Sequence, residues 1–193
     1  GIVPGTRVRV MALKALGGND GGGSTAAVIK AIKYAEDNGA VICNLSLTST
    51  TDDKALYEAM KNSSMLSSDV SAGYDPAYGE AFEKKNAAYL GRGIVLNKFT
   101  GARGKSGSND ANAEYLAEIR RAMNTEDISY QFAELGKVDI GGGGTIAYIM
   151  ANYGMNVIDS GVAVLSMHAP YEVSSKADVY EAVKGYRAFL LNM

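Results

Sequence analysis

The sequence predicts an α/β fold: a layered, mostly parallel sheet with helices on both faces, folded as a single domain. Strand-like and helical runs alternate along the chain, which is typical of helices packed on a parallel sheet. The continuously apolar run at 40–47 is typical of a strand buried on both faces. With 193 residues, 47% of them apolar, the chain can bury a substantial core.

The first part of the chain has the order strand, helix, strand, helix. Alternation and β-branched residues indicate the first strand, and Asn38-Gly39 stops the first helix, because glycine tolerates the left-handed conformation of a helix end. The predicted elements are a strand at 6–16, a helix from Ser24 or Thr25 to Asp37, a strand at 40–47 and a helix at about 53–63.

The remainder continues the alternation. Apolar residues recur at helical spacing from Ala111 to Met123, and again in the last helix. The predicted strands are 65–70, 93–101, 128–135, 156–161 and 162–169; the predicted helices begin at Ser108 or Asn109, follow the glycines at 141–144 as far as Gly154, and run from Lys176 to Leu191.

Composition argues against several classes of partner. The formal net charge is −2, so no basic surface points to nucleic acid. No apolar run approaches the roughly 18 residues of a membrane span, and no signal peptide is visible, so we expect a cytoplasmic protein without a membrane partner. The single cysteine, Cys43, lies in an apolar run and is expected to be a buried thiol.

The single histidine, His168, occurs in LSMHAPYE, and Asp69 occurs in SSMLSSDVSAGYDP at 63–76. Together with the segments 86–114 and 134–172, these motifs resemble the C-terminal part of the zinc aminopeptidases of the aminopeptidase I / aspartyl aminopeptidase family. The resemblance runs from about residue 63 to the end of the chain.

The resemblance implies that Asp69 and His168 are metal ligands of a two-zinc site. A carboxylate oxygen and a neutral imidazole suit Zn²⁺, and paired zinc ions polarise a scissile carbonyl and activate a water. The family's other histidine, its bridging aspartate and its Glu-Glu pair precede the matched region. No catalytic residue is therefore assigned, and we expect zinc binding to be weak or partial. Peptide N-termini as substrate and a homo-oligomer are also implied.

The motif ELGKVDIGGGGT at 134–145 suggests substrate contacts. Glycines before a helix leave backbone N–H groups at its positive end, where a carboxylate or carbonyl oxygen can bind. By resemblance, Lys137, Asp139, Gly144 and Thr145 occupy motif positions that line the family's active site. Taken alone, the glycines favour a turn that lets helix and strand pack closely.

Residues 1 to about 62 resemble a middle segment of a subtilisin-type serine protease, again without catalytic residues. We therefore divide the chain at 1–64 and 65–193, with a crossover near 60–68, and expect both segments to share one continuous sheet. An engineered or recombined chimera and a mis-assembled reading frame are both open.

Three functional interpretations follow. The first is a fragment of a two-zinc aminopeptidase that is inactive as this chain, because half of the metal ligands and the general base are missing. The second is a non-catalytic chimeric or engineered α/β scaffold. The third is a peptide-binding module that uses strand backbone near 44–48.

Overall fold

A computed structural model describes residues 13, 24–39, 54–102, 106–137 and 147–193. The chain divides into two compact units, Gly1–Glu58 and Ala59–Met193. Except for Leu13, the strands predicted at 6–16 and 40–47 lie outside the described residues. The same holds for the peptide-binding backbone expected near 44–48. The expectation of one sheet shared by both segments therefore stays a prediction.

In the first unit, the helix predicted from Ser24 or Thr25 to Asp37 is confirmed as α1 (Thr25–Asp37). The Ser24 hydroxyl accepts the Ala27 N–H at 3.2 Å, which satisfies one of the donors left open at a helix start. Gly39 has a φ of 79°, the left-handed conformation expected where glycine follows a helix.

The second unit contains most of the described elements. α2 is Lys54–Lys61 and contains the boundary between the two units, and a 3₁₀ helix spans Pro76–Ala81 in the second unit. The strands are β1 (Ser64–Ser68), β2 (Ser71–Ala72), β3 (Ile94–Asn97), β4 (Phe99–Ala102), β5 (Ser106–Asp110), β6 (Tyr130–Phe132), β7 (Asn156–Gly161), β8 (Ala163–Leu165) and β9 (Val173–Ser174). The further helices are α3 (Ala113–Thr125), α4 (Ala147–Ala151) and α5 (Lys176–Asn192).

The central sheet has the strand order β1-β7-β3-β6. β1 is parallel to β7 and β3 is parallel to β6, whereas β3 and β7 are antiparallel. The predicted α/β class with a mostly parallel sheet is confirmed. A second sheet has the order β2-β8-β9, and β4 pairs with β5 as an antiparallel hairpin.

The main core lies where α3 and α5 pack on the central sheet. It buries the apolar residues Ile94, Leu96, Ala111, Tyr115, Ile119, Met123, Ile128, Ile158, Ala182 and Ala188. A smaller cluster contains Ala88, Val95, Ala133 and Ala163. Since Val95 alternates with Ile94 and Leu96 along β3, the two clusters lie on opposite faces of that strand.

Tyr115 is a polar anchor within the main core. Its hydroxyl donates to the Met65 carbonyl oxygen at 3.0 Å, which ties α3 to β1. Burial, with a contribution from the charge of Glu118, raises the pKa of the Tyr115 phenol above its usual range. The raised pKa keeps the hydroxyl protonated, and therefore donating, to higher pH than an exposed tyrosine.

Two side chains hold the long connection that leads into β3. The buried Asp178 carboxylate, in the first turn of α5, accepts the N–H groups of Gly91 and Gly93 at 2.7 and 2.8 Å. The Gln131 amide accepts the Tyr89 N–H at 2.9 Å and donates to the Tyr89 carbonyl oxygen at 2.8 Å, much as a neighbouring strand would. Both contacts fix backbone that has no strand partner of its own.

The helix start predicted at Ser108 or Asn109 is wrong. Both residues belong to β5, and α3 begins at Ala113 after Asn112, whose side chain accepts the Tyr115 N–H at 2.8 Å. The Asn109 side chain instead donates to the Val157 carbonyl oxygen at 3.0 Å in a buried position. A tertiary contact thus competes successfully with the capping role that Asn109 could have had.

Other boundaries also move. The strand predicted at 93–101 is divided at Lys98 into β3 and β4, and the strand predicted at 162–169 ends at Leu165, so His168 lies in a loop. Among the helices that the structure describes, none combines the length and the apolar character needed to cross a membrane.

Candidate metal centre

Asp69 lies in the short connection between β1 and β2. Its N–H donates to the Ser160 carbonyl oxygen at 3.2 Å, and the Ser71 N–H donates to the Val162 carbonyl oxygen at 2.9 Å. The chain therefore passes from the central sheet to the second sheet while it stays hydrogen-bonded to the segment that runs from β7 into β8. The Asp69 side chain is exposed, and its Oδ1 accepts the Val70 N–H at 2.8 Å.

Gly161 permits this path. A Cβ atom at residue 161 would lie 1.7 Å from the Asp69 carbonyl oxygen and 2.6 Å from its carbonyl carbon. Both atoms belong to the backbone, so no side-chain rotation could relieve the contact. The absence of a side chain at 161 is thus what lets the Asp69 connection lie directly against the end of β7.

His168 lies in the loop between the antiparallel strands β8 and β9, which closes with Leu165 opposite Val173. Ser166 and His168 both have left-handed backbone conformations, with φ of 57° and 68°. Such conformations cost a non-glycine residue on the order of 1–3 kcal/mol each and are kept only where the surroundings impose them. His168 is exposed.

Two hydrogen bonds stabilise this loop. The Ala169 N–H donates to the Ser166 carbonyl oxygen at 2.9 Å, which makes a turn through His168. The His168 N–H donates to Glu172 Oε1 at 2.6 Å, a charge-assisted bond within the loop. The carboxylate thus fixes the backbone of His168 and leaves the imidazole nitrogens out of the contact.

Polar residues are buried beneath the Asp69 connection. Asn97 and Asp159 are partners across β3 and β7, with exposed fractions of 2% and 1%, and Ser67 lies opposite Asp159 on β1. The Ser71 hydroxyl, fully buried, lies 3.2 Å from Asn97 Oδ1 and donates to it. The Ser71–Asn97 bond ties β2 to β3 close to the strand end that leads into Asp69.

The two predicted ligands, a carboxylate and an imidazole, are of the types that zinc binds, but two are fewer than a catalytic zinc site has. Asp69 precedes β2 and His168 follows β8; because these two strands are parallel, the two connections leave opposite ends of the β2–β8 ladder. Within the described ranges, however, no group of three or more His, Cys, Asp or Glu side chains is placed to hold a metal ion. Catalytic zinc sites generally have three protein ligands and a water, so these two residues do not make one by themselves.

The predicted substrate contacts are largely outside the described residues. Lys137 is described and exposed, directly after Gly136, whose φ is 75°. Asp139, Gly144 and Thr145 lie outside the described residues, so their proposed roles stay predictions.

Sequence reasoning missed Gly161 and Glu172. Gly161 stands between two apolar strand runs, where a glycine often marks a close backbone approach. Glu172 stands four residues after His168, which a local search around the histidine would have found.

Comparison with known protein families shows which family this chain belongs to. The model of the aminopeptidase I zinc metalloprotease family (M18) matches residues 38–190. This chain belongs to the M18 family. A probable M18 family aminopeptidase 1 of Clostridium acetobutylicum is 59% identical over 170 residues, which cover 88% of this chain and 36% of the relative.

The fold of this chain is also similar to solved structures of M18 aminopeptidases. The crystal structure of aminopeptidase I from Clostridium acetobutylicum matches with a TM-score of 0.66 and 67% identity, over 70% of this chain and 30% of that one. The M18 aminopeptidase from Thermotoga maritima matches with a TM-score of 0.71 and 41% identity, over 89% and 36%. The yeast mApe1 structure, a dodecamer, matches with a TM-score of 0.57 and 20% identity, over 86% and 33%, and shows the fold alone.

These matches revise the extent of the resemblance. The M18 match begins at residue 38, well before the boundary near residue 63 that the motifs indicate, and so enters the segment assigned to subtilases. The Clostridium alignment leaves at most 23 of the 193 residues outside it. Nothing in the matches shows a subtilisin-type segment or a splice. The chain spans about a third of the length of its M18 relatives (36%).

Proposed function

We propose that this chain is the His168-bearing part of an M18 zinc aminopeptidase, that Asp69 and His168 are zinc ligands, and that the chain alone does not hydrolyse peptides. The observation that carries the proposal is that both residues lie in connections between strands, within residues 38–190 that the M18 family model matches. Each is exposed, and each has its backbone fixed by hydrogen bonds. Preorganised ligands of this kind are what a metal site requires.

Zinc would polarise a peptide carbonyl and lower the pKa of a bound water. The described residues would supply one carboxylate and one imidazole toward it. The resemblance places the remaining ligands and the general base in a part of the family's chain that precedes the matched region. Two ligands hold zinc loosely, so we expect weak or partial binding and no turnover.

The substrate is proposed to be a peptide N-terminus, by membership of the M18 family. Lys137, Asp139, Gly144 and Thr145 would contact it, with the backbone N–H groups of the glycine run facing a carbonyl or carboxylate oxygen. A homo-oligomer is proposed as well, since the yeast relative of the same fold is a dodecamer. In such an assembly another chain could supply missing ligands.

The test is release of amino acids from aminoacyl reporters in the presence of zinc. We expect none above background from the chain alone. Activity that a chelator and His168→Ala both abolish, and that a Glu118→Ala control retains, would overturn the claim of inactivity. Zinc binding that depends on His168 without turnover is the result that the proposal predicts.

A second candidate is a non-catalytic α/β scaffold. It is favoured by the described residues, among which no group of three side chains is placed to hold a metal. The scaffold interpretation predicts a cooperative unfolding transition that zinc does not shift. A midpoint that rises with zinc in the wild type and not in His168→Ala would favour the metal site instead, because a ligand that binds only the folded state stabilises it.

A further inference from the structure

The loop 166–172 holds His168 in a conformation that its own residues do not favour. Ser166 and His168 both have positive φ, and neither is glycine. The antiparallel pair Leu165 and Val173 closes the base of the loop, and the Ser166–Ala169 hydrogen bond forms one turn in it. Neither contact involves the His168 N–H, which points to Glu172.

We propose that Glu172 is the positioning residue for His168. This inference rests on the proposed function, in which His168 is a zinc ligand. The Glu172 carboxylate accepts the His168 N–H at 2.6 Å and so anchors the backbone from which the imidazole projects. It acts through the main chain and leaves both imidazole nitrogens available for a metal and for a second partner.

The charge of Glu172 matters because the anchored conformation is strained. A carboxylate accepts a backbone N–H about twice as strongly as a neutral group does. Without this acceptor, His168 can return to the negative φ that most residues adopt, and the imidazole would leave the position set by the loop. Removing a group that orients a metal ligand typically weakens metal binding by about 10–100-fold. For an effect transmitted through the main chain we expect the lower end, about tenfold.

The chain offers a direct probe because His168 is its single histidine. Nuclear magnetic resonance of the imidazole and of the His168 amide is therefore free of overlap from other histidines. The full chain would be compared with Glu172→Ala, Glu172→Gln and Glu172→Asp. Glu118→Ala, which removes an exposed carboxylate on α3, is the matched control.

Two measurements test separately the anchoring of the His168 backbone and the binding of zinc. In the metal-free protein, the His168 amide should exchange with solvent on the order of tenfold faster in Glu172→Ala than in the wild type. In a zinc titration followed at the imidazole, Glu172→Ala should need about tenfold more zinc to reach half of the shift. Glu172→Gln keeps an acceptor oxygen at the same reach but lacks the charge, so both values should lie between those of the wild type and of Glu172→Ala. The control should match the wild type.

Each outcome decides something. Wild-type amide exchange and zinc midpoint in Glu172→Ala would overturn the positioning role. If Glu172→Ala does not fold, Glu172→Asp takes its place: its carboxylate is one methylene shorter, so it should show the same losses, and wild-type values in it would overturn the role. If zinc does not change the chemical shifts of the wild-type imidazole, the proposed function fails. The exchange rate of the His168 amide still tests the role of Glu172 in that case.

Discussion

Replacing Gly161 with alanine tests how closely the Asp69 connection lies against β7. The added Cβ would meet the Asp69 carbonyl oxygen at 1.7 Å, whereas real Cβ contacts stay at 3.0 Å or more. The Asp69 backbone must therefore retreat by the difference, since Gly161 itself is held within β7. Such a displacement cannot be absorbed by a rotamer change.

The cost has two parts. Forcing extra atoms into a packed site typically costs about 1–3 kcal/mol, and a contact between backbone atoms belongs at the upper end. The retreat also breaks the Asp69 N–H···O bond to Ser160, 3.2 Å long, which is worth about 1 kcal/mol. We expect Gly161→Ala to lower the free energy of unfolding by about 3 kcal/mol or more.

Urea unfolding followed by circular dichroism measures this loss. Gly185→Ala is the control, because the atoms nearest to its added Cβ would be the flexible ends of Ile94 and Met123 at 3.2–3.4 Å. A helical glycine also gains up to about 1 kcal/mol on replacement by alanine, so the control should stay within about 1 kcal/mol of the wild type. Equal effects of the two substitutions, or a Gly161→Ala loss below about 1 kcal/mol, would refute the close approach.

Three further substitutions test the contacts around the sheet. Asp178→Ala leaves the N–H groups of Gly91 and Gly93 without their acceptor and should lower the free energy of unfolding in urea by about 2–4 kcal/mol. A loss under about 1 kcal/mol would contradict the role given to the Asp178 carboxylate. Gln131→Ala should speed amide exchange at Tyr89 while α3 amides keep wild-type rates, and an unchanged Tyr89 rate would count against the strand-like contact. Burial acts to raise the Glu181 pKa, but hydrogen bonds from Lys184 and from a backbone N–H, with the lysine charge, lower it overall. A carboxyl group with a lowered pKa stabilises the fold above its ordinary value near 4.5, and this stabilisation is lost as pH falls through the folded-state value. The difference in free energy of unfolding between the wild type and Glu181→Gln should therefore be constant near neutral pH and shrink in acid. A difference that does not change from pH 7 to pH 3 would refute this.

Local patterns in the sequence were sufficient for the elements whose signals are short-range. The periodicity from Tyr115 to Met123 and the Ser24 and Asn38-Gly39 boundaries of α1 depend on residues within a few positions of each other. The mostly parallel sheet also follows from alternation of strands and helices. These predictions are confirmed because local preference and tertiary packing agree there.

Long-range contacts account for the failures. Asn109 has the chemistry of a helix cap, yet its amide is bonded to Val157, 48 positions away along the chain. The antiparallel pairing of β3 with β7 likewise depends on a register that no local pattern encodes. The extent of the family resemblance was underestimated, because the sequence at 52–66 is compatible with both of the families that the motifs suggest.

The candidate site was predicted in part. Asp69 and His168 were found through their motifs, and both are exposed in loops that hydrogen bonds hold in place. The contacts that hold them, from Gly161 and Glu172, need coordinates, because a glycine or a glutamate alone does not reveal which backbone it faces.

The number of zinc ions per chain tests the central claim most directly. The protein would be loaded with zinc, dialysed against metal-free buffer near neutral pH and measured by elemental analysis, with His168→Ala beside it. The proposed two-ligand site predicts no retained zinc or a single labile ion that His168→Ala abolishes. Close to two tightly held ions per chain would contradict it, because Asp69 and His168 would then be only part of a complete site.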